Sequence, residues 1–529
     1  MLFNSVPYAV FLATVVGVYW LLAPMSQRLR RARGRVDPRL ALLLIVSYGF
    51  YAAFDLRFTV LLAATTCVHF AAGQRLATSR NPEQRKLVLA AAVSFTLLML
   101  GFFKYFDFFV GSVAAVLERF GADASPATLG LLVPWGISFY SFHALSYTID
   151  VYRRDIDATR DFLAFAVFVA YFPQLLAGPL TRARRMLPQF QNLPIRRDGK
   201  KTQEGFELIL LGLFQKVAIA DALSPVTRAI FVDTTLGPAP PRNSVMLALG
   251  SVAGAAQFVL DFAGYSNIAR GSSKLLGVEL PYNFREPLTR SRNLQDYWRR
   301  HNMTLMAWFR DYLFRPLRRR SSGAIRASSV VIFVFFLSGL WHGANWGWVG
   351  WGLFMGLAVA AEIEVNRRRD RHRRALAINR GTRTRSPVSQ APTKRAVAVE
   401  VAAATRTSTP APLTTRRSAL LRVLAPLYCV AVLGISIVLV RAPNLESAWH
   451  FYVDILRFRW VPLDWDAVGL ILYAATAVVI TDRREHHLEL AEGRPDPVPP
   501  SRLFLWASMI LLIIIFSGTV AQPFVYFQF

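Results

Sequence analysis

The sequence predicts an all-α polytopic membrane protein of roughly 11–13 transmembrane or re-entrant helices. Three observations carry that prediction. The chain is 54% hydrophobic over 529 residues and its mean hydropathy is +0.34, more apolar surface than a soluble core of this length needs. The apolar residues come in continuous runs of about 20, the length at which a helix crosses a hydrocarbon layer, and not in the short alternating strands of a membrane barrel. Between the runs lie clusters of Arg and Lys, which mark the cytoplasmic loops of membrane proteins.

The runs follow one another along the whole chain. The first, 6–23, has no basic stretch before it and no obvious small-residue cleavage site, so it reads as a retained helix and not a signal peptide. Then come 40–55, 57–73, 87–105, 131–150, 204–224, 244–263, 327–341, 345–362, 419–440, 465–481 and 503–521. Residues 107–120 and 161–179 are apolar but fit partial or re-entrant segments. The two cysteines, Cys67 and Cys429, fall inside apolar runs and read as small buried hydrophobes, not a disulfide.

A net charge of +28 can mark a nucleic-acid binder. Here the cations cluster in connections: Arg28 to Arg39, Arg75 to Lys86, Arg182 to Lys201, Arg285 to Arg326, Arg367 to Arg422, and Arg483 with Arg484. The positive-inside rule assigns all of these to the cytoplasm. The spans 40–55 and 57–73 then form one hairpin, and 204–224 with 244–263 a second, its charge-poor loop 225–243 outside. The spans 327–341 and 345–362 form a third, with His342 at its tip. Both termini fall on the extracytoplasmic side of a multi-pass protein of the plasma or inner membrane. Residues 366–418 are rich in Arg, Ala, Thr, Ser and Pro, a composition that buries too little apolar area to offset chain entropy. A disordered, basic cytoplasmic loop is expected there, in contact with anionic lipid headgroups or simply tolerated as an insertion. It separates a membrane region, 1–365, from a C-terminal region of spans, 419–529.

Polar chemistry is concentrated in the middle of the chain. The segment 281–326 is basic and aromatic. From Leu294 onward its spacing is helical, with Leu294, Tyr297 or Trp298, Leu305, Trp308 or Phe309, and Tyr312 able to share one apolar side. An amphipathic helix at the membrane interface is the structural reading, and polar groups facing a cavity from the cytoplasm the functional one. His342 follows, in Phe335-Phe336-Leu337-Ser338-Gly339-Leu340-Trp341-His342-Gly343. An ionisable group in an apolar segment is costly and is by default a functional-site candidate. Gly339 and Gly343 allow another backbone or a ligand to approach closely. Trp341, Trp346 and Trp348 equally allow an interfacial His in an aromatic belt, and spacing alone leaves the two readings level. A neutral imidazole there can act as a general base toward a hydroxyl. His69 and His143, on apolar runs, read as core residues, and His486 with His487 lie in a charged loop. There is no metal-ligand pattern, phosphate-binding glycine loop, dinucleotide fingerprint or nucleophile elbow.

At these residues the chain resembles the membrane-bound O-acyltransferase family, in its bacterial alginate O-acetyltransferase-like branch. D-alanyl transferases of teichoic acid modification are more distant relatives. The matching blocks are Pro134–Tyr140 through Ala144–Tyr147 and Asp150–Arg153; Tyr171–Pro179; Asp261–Ala269; Asp296–Leu317; Trp341-His342-Gly343; and Pro523–Phe529. Each is modest alone, and their order makes the set specific. The resemblance implies helices around a central cavity, with His342 as the catalytic histidine. It also locates a second position. The branch usually reads Trp-Arg-Arg-Trp-His-Met-Thr-Leu, and this chain reads Trp298-Arg299-Arg300-His301-Asn302-Met303-Thr304-Leu305. In register the family's His falls on Asn302 and its Trp on His301. An amide can hydrogen-bond a thioester carbonyl but cannot shuttle a proton at pH 7, so Asn302 and His301 both stay candidates for the second catalytic place.

The function so implied is transfer of an acyl group, in the first instance acetyl, from a cytoplasmic thioester donor. The acceptor would be a hydroxyl of an extracytoplasmic polysaccharide or of a secreted or membrane-anchored, esterase-like partner. Acetyl-CoA or an acyl carrier would be the donor, its phosphates meeting Arg299, Arg300 and Arg310; no permanent cofactor and no metal is expected. A transporter or flippase for a lipid-linked glycan is the competing class. It needs a continuous polar path and paired half-helices, whereas polarity here is concentrated in one region. A non-catalytic scaffold for a secreted acyltransferase is the third reading, motivated by Asn302.

Overall fold

The computed structural model describes residues 2–31, 37–122, 128–130, 132–176, 178–231, 243–319, 324–379, 416–490 and 500–517. Among them every regular element is helical. Eight helices are long and apolar enough to cross a membrane, and two shorter apolar helices, Pro38–Ala52 and Ala327–His342, join them. The all-α polytopic class is therefore what the chain adopts. Side chains such as Ile45, Leu98 and Ile514, 69%, 72% and 63% exposed, point outward from these helices. A hydrocarbon surround accounts for that exposure without cost; water does not.

The helices start where the sequence supplies a cap. Asp37 before Pro38 and Asn81 before Pro82 each accept a backbone N–H two residues on, from Arg39 at 3.0 Å and Glu83 at 2.9 Å. Proline at the first helical position loses no hydrogen bond, so these dipeptides are start signals. Asn243 opens the 32-residue helix Ser244–Leu275 in the same way; at 1.5 Å per residue that helix is about 48 Å long and outreaches the hydrocarbon layer.

Several expected boundaries move for identifiable reasons. The runs 87–105 and 107–120 form one 38-residue stretch, Pro82–Arg119, because the chain passes through a π turn at Gly101–Tyr105 instead of breaking. The run 131–150 becomes Ile137–Arg153, since Gly136 at φ 69 stops any earlier start. The re-entrant candidate 161–179 is helical only over Phe162–Ala170 and Phe172–Leu175. Nine residues cover about half a bilayer core, and the piece is buried inside the protein. The helix that begins at Trp346 runs on to Asn379, past the expected start of the loop at 366. Glu364 explains this: it pairs with Arg368 at 3.1 Å and Arg371 at 3.2 Å, one and two turns on. Residues 416–418 are helical too, and 380–415 of that loop, like 232–242 and the C-terminal block 523–529, lie outside the described residues. Cys429 is buried as expected, whereas Cys67 is exposed on its helix.

The segment 294–313 is not one interfacial helix. It splits into Leu294–Arg300 and Met303–Phe309, followed by a π turn at Arg310–Phe314. The break is Asn302, in the left-handed region at φ 46. Its apolar side is buried and divided between two cores. Leu294, Tyr297 and Trp298 pack with the C-terminal helices. Leu305, Trp308, Phe309 and Tyr312 pack with Phe139, Phe142 and Trp341, Trp308 stacking on Phe142 at 4.0 Å.

Candidate active site

Two helices, Ala324–His342 and Trp346–Asn379, form the hairpin that carries His342. They cross at glycine: a Cβ on Gly339 would overlap the Trp348 carbonyl oxygen, and one on Gly352 would stand 2.5 Å from the Phe335 carbonyl oxygen. The close approach that Gly339 and Gly343 permit is thus used by the neighbouring helix. It seats the His342 ring against Trp348, stacked at 4.8 Å, and edge-on to Trp351 at 5.3 Å. Asn345 turns the chain at the tip, its side-chain oxygen accepting the Trp348 N–H at 2.9 Å.

His342 is only 7% exposed, yet it borders a cavity of about 510 Å³ lined also by Lys104, Trp135, Ser138, Phe139 and Asn345. It is therefore not a surface member of an aromatic belt. Lys104 was not legible as a site residue beforehand, although a lysine in the apolar run Phe102-Phe103-Lys104-Tyr105 is a signal by the same rule that singled out His342. The π turn directs its ammonium to the carbonyl of Trp341 and, at 3.5 Å, that of His342. A cation there satisfies the open carbonyls at a helix C-terminus, and it fixes the turn from which His342 projects.

His301 belongs to the same buried aromatic cluster. Its ring stacks on Tyr297 at 5.0 Å and meets Trp298 edge-on at 5.5 Å. Trp298 packs on Trp351 at 5.9 Å, and Trp351 touches His342. Both imidazoles therefore belong to one aromatic cluster that also holds these two indoles. His301 lies outside the spanning helices, and burial pushes its imidazole down to about 3, so it is neutral at pH 7 and a weak base. Asn302, beside it and 4% exposed, occupies the left-handed break. Asn283 holds the turn after it, accepting the Met303 N–H on its backbone oxygen at 2.9 Å and the Thr304 hydroxyl on its side-chain oxygen at 2.8 Å. Asn and His are both among the residue types enriched at left-handed positions, so the amide fits the backbone that the register assigns to histidine.

The three arginines expected at the donor stand apart from this cluster. Arg299 is exposed. Arg300 pairs with Asp296 at 3.3 Å, and Arg310 with Asp311 at 3.0 Å. Asp311 is the hub of its own network with Arg182 and, at 2.8 Å, Arg315. Burial pushes its carboxyl up, but Arg310 and Arg182 outweigh that and hold it below the usual carboxylate range. His69 and His143, expected as core residues, are both buried. His69 is bonded at both ring nitrogens, to Thr148 at 2.7 Å and Thr96 at 2.9 Å, and His143 accepts the Thr181 N–H at 3.2 Å.

The sequence pattern of the MBOAT, membrane-bound O-acyltransferase family, matches residues 43–377. That range holds His342, His301, Asn302 and the cavity. The probable alginate O-acetylase of Azotobacter vinelandii is 37% identical over 368 residues, 68% of this chain and 68% of that protein. The chain belongs to the membrane-bound O-acyltransferase family. It is an O-acyltransferase. The peptidoglycan O-acetyltransferase of Helicobacter pylori is 28% identical over 389 residues, covering 68% of this chain and 70% of its own. The teichoic acid D-alanyltransferase of Streptococcus thermophilus is 28% identical over 265 residues, 48% of this chain and 63% of its own. The most similar of these relatives match only two thirds of this acyltransferase, and the family pattern ends before the 380–415 stretch.

Proposed function

We propose that this acyltransferase moves an acetyl group from a cytoplasmic thioester, acetyl-CoA or an acyl carrier, to a hydroxyl on the extracytoplasmic side, with His342 as general base. The observation that carries the reading is His342 itself. It is a buried imidazole at the tip of a hairpin, held by Trp348 and Lys104 and facing a cavity large enough for a sugar unit. The positive-inside rule, applied to the basic connections, supports a reading in which the opposite face is cytoplasmic, the membrane is the plasma or inner membrane and both termini lie outside. The polysaccharide- and glycan-directed names of the relatives point to a glycan acceptor, reached directly or through a secreted partner.

The chemistry balances with the groups present. A ring nitrogen of His342 takes the proton of the acceptor hydroxyl as its oxygen attacks the thioester carbonyl. The oxyanion receives a hydrogen bond from the Asn302 amide. The C–S bond breaks, the thiolate leaves toward the cytoplasm, and the proton on His342 passes to it. The arginines at 299, 300 and 310 would contribute charge to the donor's approach, not direct contacts at the reacting atoms. The test is reconstitution in sealed liposomes with labelled acetyl-CoA on one face and an acceptor glycan on the other. Label appearing in the glycan, dependent on the protein, is the expected result. No transfer and no thioester cleavage, with or without a secreted partner, contradicts it.

A further inference from the structure

A second cavity of about 510 Å³ lies away from His342, at the ends of the helices Gly199–Leu213 and Ser244–Leu275. Five cationic side chains line it, Arg185, Lys200, Lys201, Arg270 and Lys274, against three carboxylates. The acids are engaged. Glu279 pairs with Lys201 at 2.7 Å, and Glu204 with Lys274. Asp198 caps the first helix by accepting the Lys200 N–H at 3.0 Å. Arg185, Lys200 and Arg270 form no ion pair with these carboxylates, and the latter two carry buried donors. The Lys200 ammonium is buried and makes no hydrogen bond among the described residues. Arg270 is 4% exposed; its Nε likewise makes none, and its guanidinium lies 3.9 Å over the Tyr282 ring. Buried donors of positive charge facing a cavity are costly unless an anion completes them.

We propose that this cavity binds a phosphate-ester anion, with Lys200 and Arg270 as its donors and Tyr282 as the floor. An arginine and a lysine converging from two helices suit the oxygens of a phosphate, which accepts several charge-assisted hydrogen bonds at once. Two sources share this chemistry. One is the nucleotide phosphates of a CoA-type thioester, and only this source rests on the function proposed above. The other is the headgroup of an anionic phospholipid. The position has a consequence for the reacting centre. Tyr282 is adjacent to Asn283, whose side chain and backbone hold Met303 and Thr304 next to Asn302. An anion seated on Arg270 and Tyr282 therefore braces the turn that carries Asn302.

The test measures binding, not transfer, so its failure is separable from failure of the acyltransferase reaction. The full-length protein in phosphatidylcholine nanodiscs is titrated calorimetrically with adenosine 3′,5′-bisphosphate. In parallel, the protein in detergent is offered phosphatidylglycerol or phosphatidylcholine, and retained lipid is read by native mass spectrometry. Binding of the nucleotide, weakened about tenfold in Lys200→Met, supports the site with the donor as source. Selective retention of phosphatidylglycerol, lost in the same variant, supports it with lipid as source. Lys200 lies in the first turn of its helix, so its removal leaves the core intact, and Arg270→Gln is the second probe. Binding of neither ligand, or binding that both variants leave unchanged, overturns the proposal.

Discussion

His342 and His301 are both buried imidazoles in one aromatic cluster, but their settings differ. His342 borders a cavity and ends a helix whose carbonyls Lys104 holds. His301 is enclosed by Tyr297, Trp298 and Phe284, a burial that gives it a latent acid sensitivity. Its folded-state pKa of about 3 lies below the ordinary value of about 6.5. Between those values the unfolded chain takes up a proton that the folded chain refuses, so stability falls as pH drops through that window. His301→Gln removes this contribution. The variant should lose less stability than the parent on going from pH 7 to 5, by about 2 kcal/mol, measured as the difference in thermal unfolding of detergent-solubilised protein. Asn302 makes a different prediction, through its backbone. A β-branched residue at φ 46 pays about 1–2 kcal/mol for the left-handed conformation. Asn302→Val should unfold at lower temperature, while Asn302→His keeps the parent's melting point.

At the scale of elements, the sequence announced most spans but not their joints. Continuous apolar runs are a local signal of spans, and the Asp37-Pro38 and Asn81-Pro82 pairs stand at helix starts. The π turns at Gly101–Tyr105, Phe214–Asp221 and Arg310–Phe314 were not legible, because one extra residue in a helical turn leaves no periodic trace over five to eight residues. Each carries a charged group into the protein: Lys104; Lys216, which bridges Asp221 and Asp261 at 2.7 Å each; and Asp311. The split of 294–313 was hidden for a related reason. Its apolar spacing is truly helical, but Asn302 turns the chain so that one side feeds two cores. The glycine crossing of the His342 hairpin gives a clean comparison. A methyl on Gly339 meets the Trp348 carbonyl, whereas Gly101 has nothing within 4 Å. Gly339→Ala should cost about 1–3 kcal/mol through overpacking and disturb the His342 ring. Gly101→Ala should be neutral or slightly stabilising. Paired thermal melts of the two variants check this.

Across the whole molecule, the membrane class followed from composition, and the order of blocks pointed to the family. What the sequence could not supply was which polar residues share a cavity, because Lys104 and His342 are 238 positions apart and meet only through tertiary packing. The same limit hides which basic residues gather at one cavity. Arg299, Arg300 and Arg310 stand in the block that resembles the family, but the cations lining the basic cavity come from 185–201 and 270–274. The central claim is that this fold holds His342 at the cavity as the base for acyl transfer. Its most direct measurement is the single-turnover rate of acetyl transfer by purified His342→Gln, compared with the parent at equal, correctly folded concentration. The expected result is a loss of about 100-fold or more in that rate with donor binding unchanged; transfer at the parent's rate would contradict the role of His342 as base.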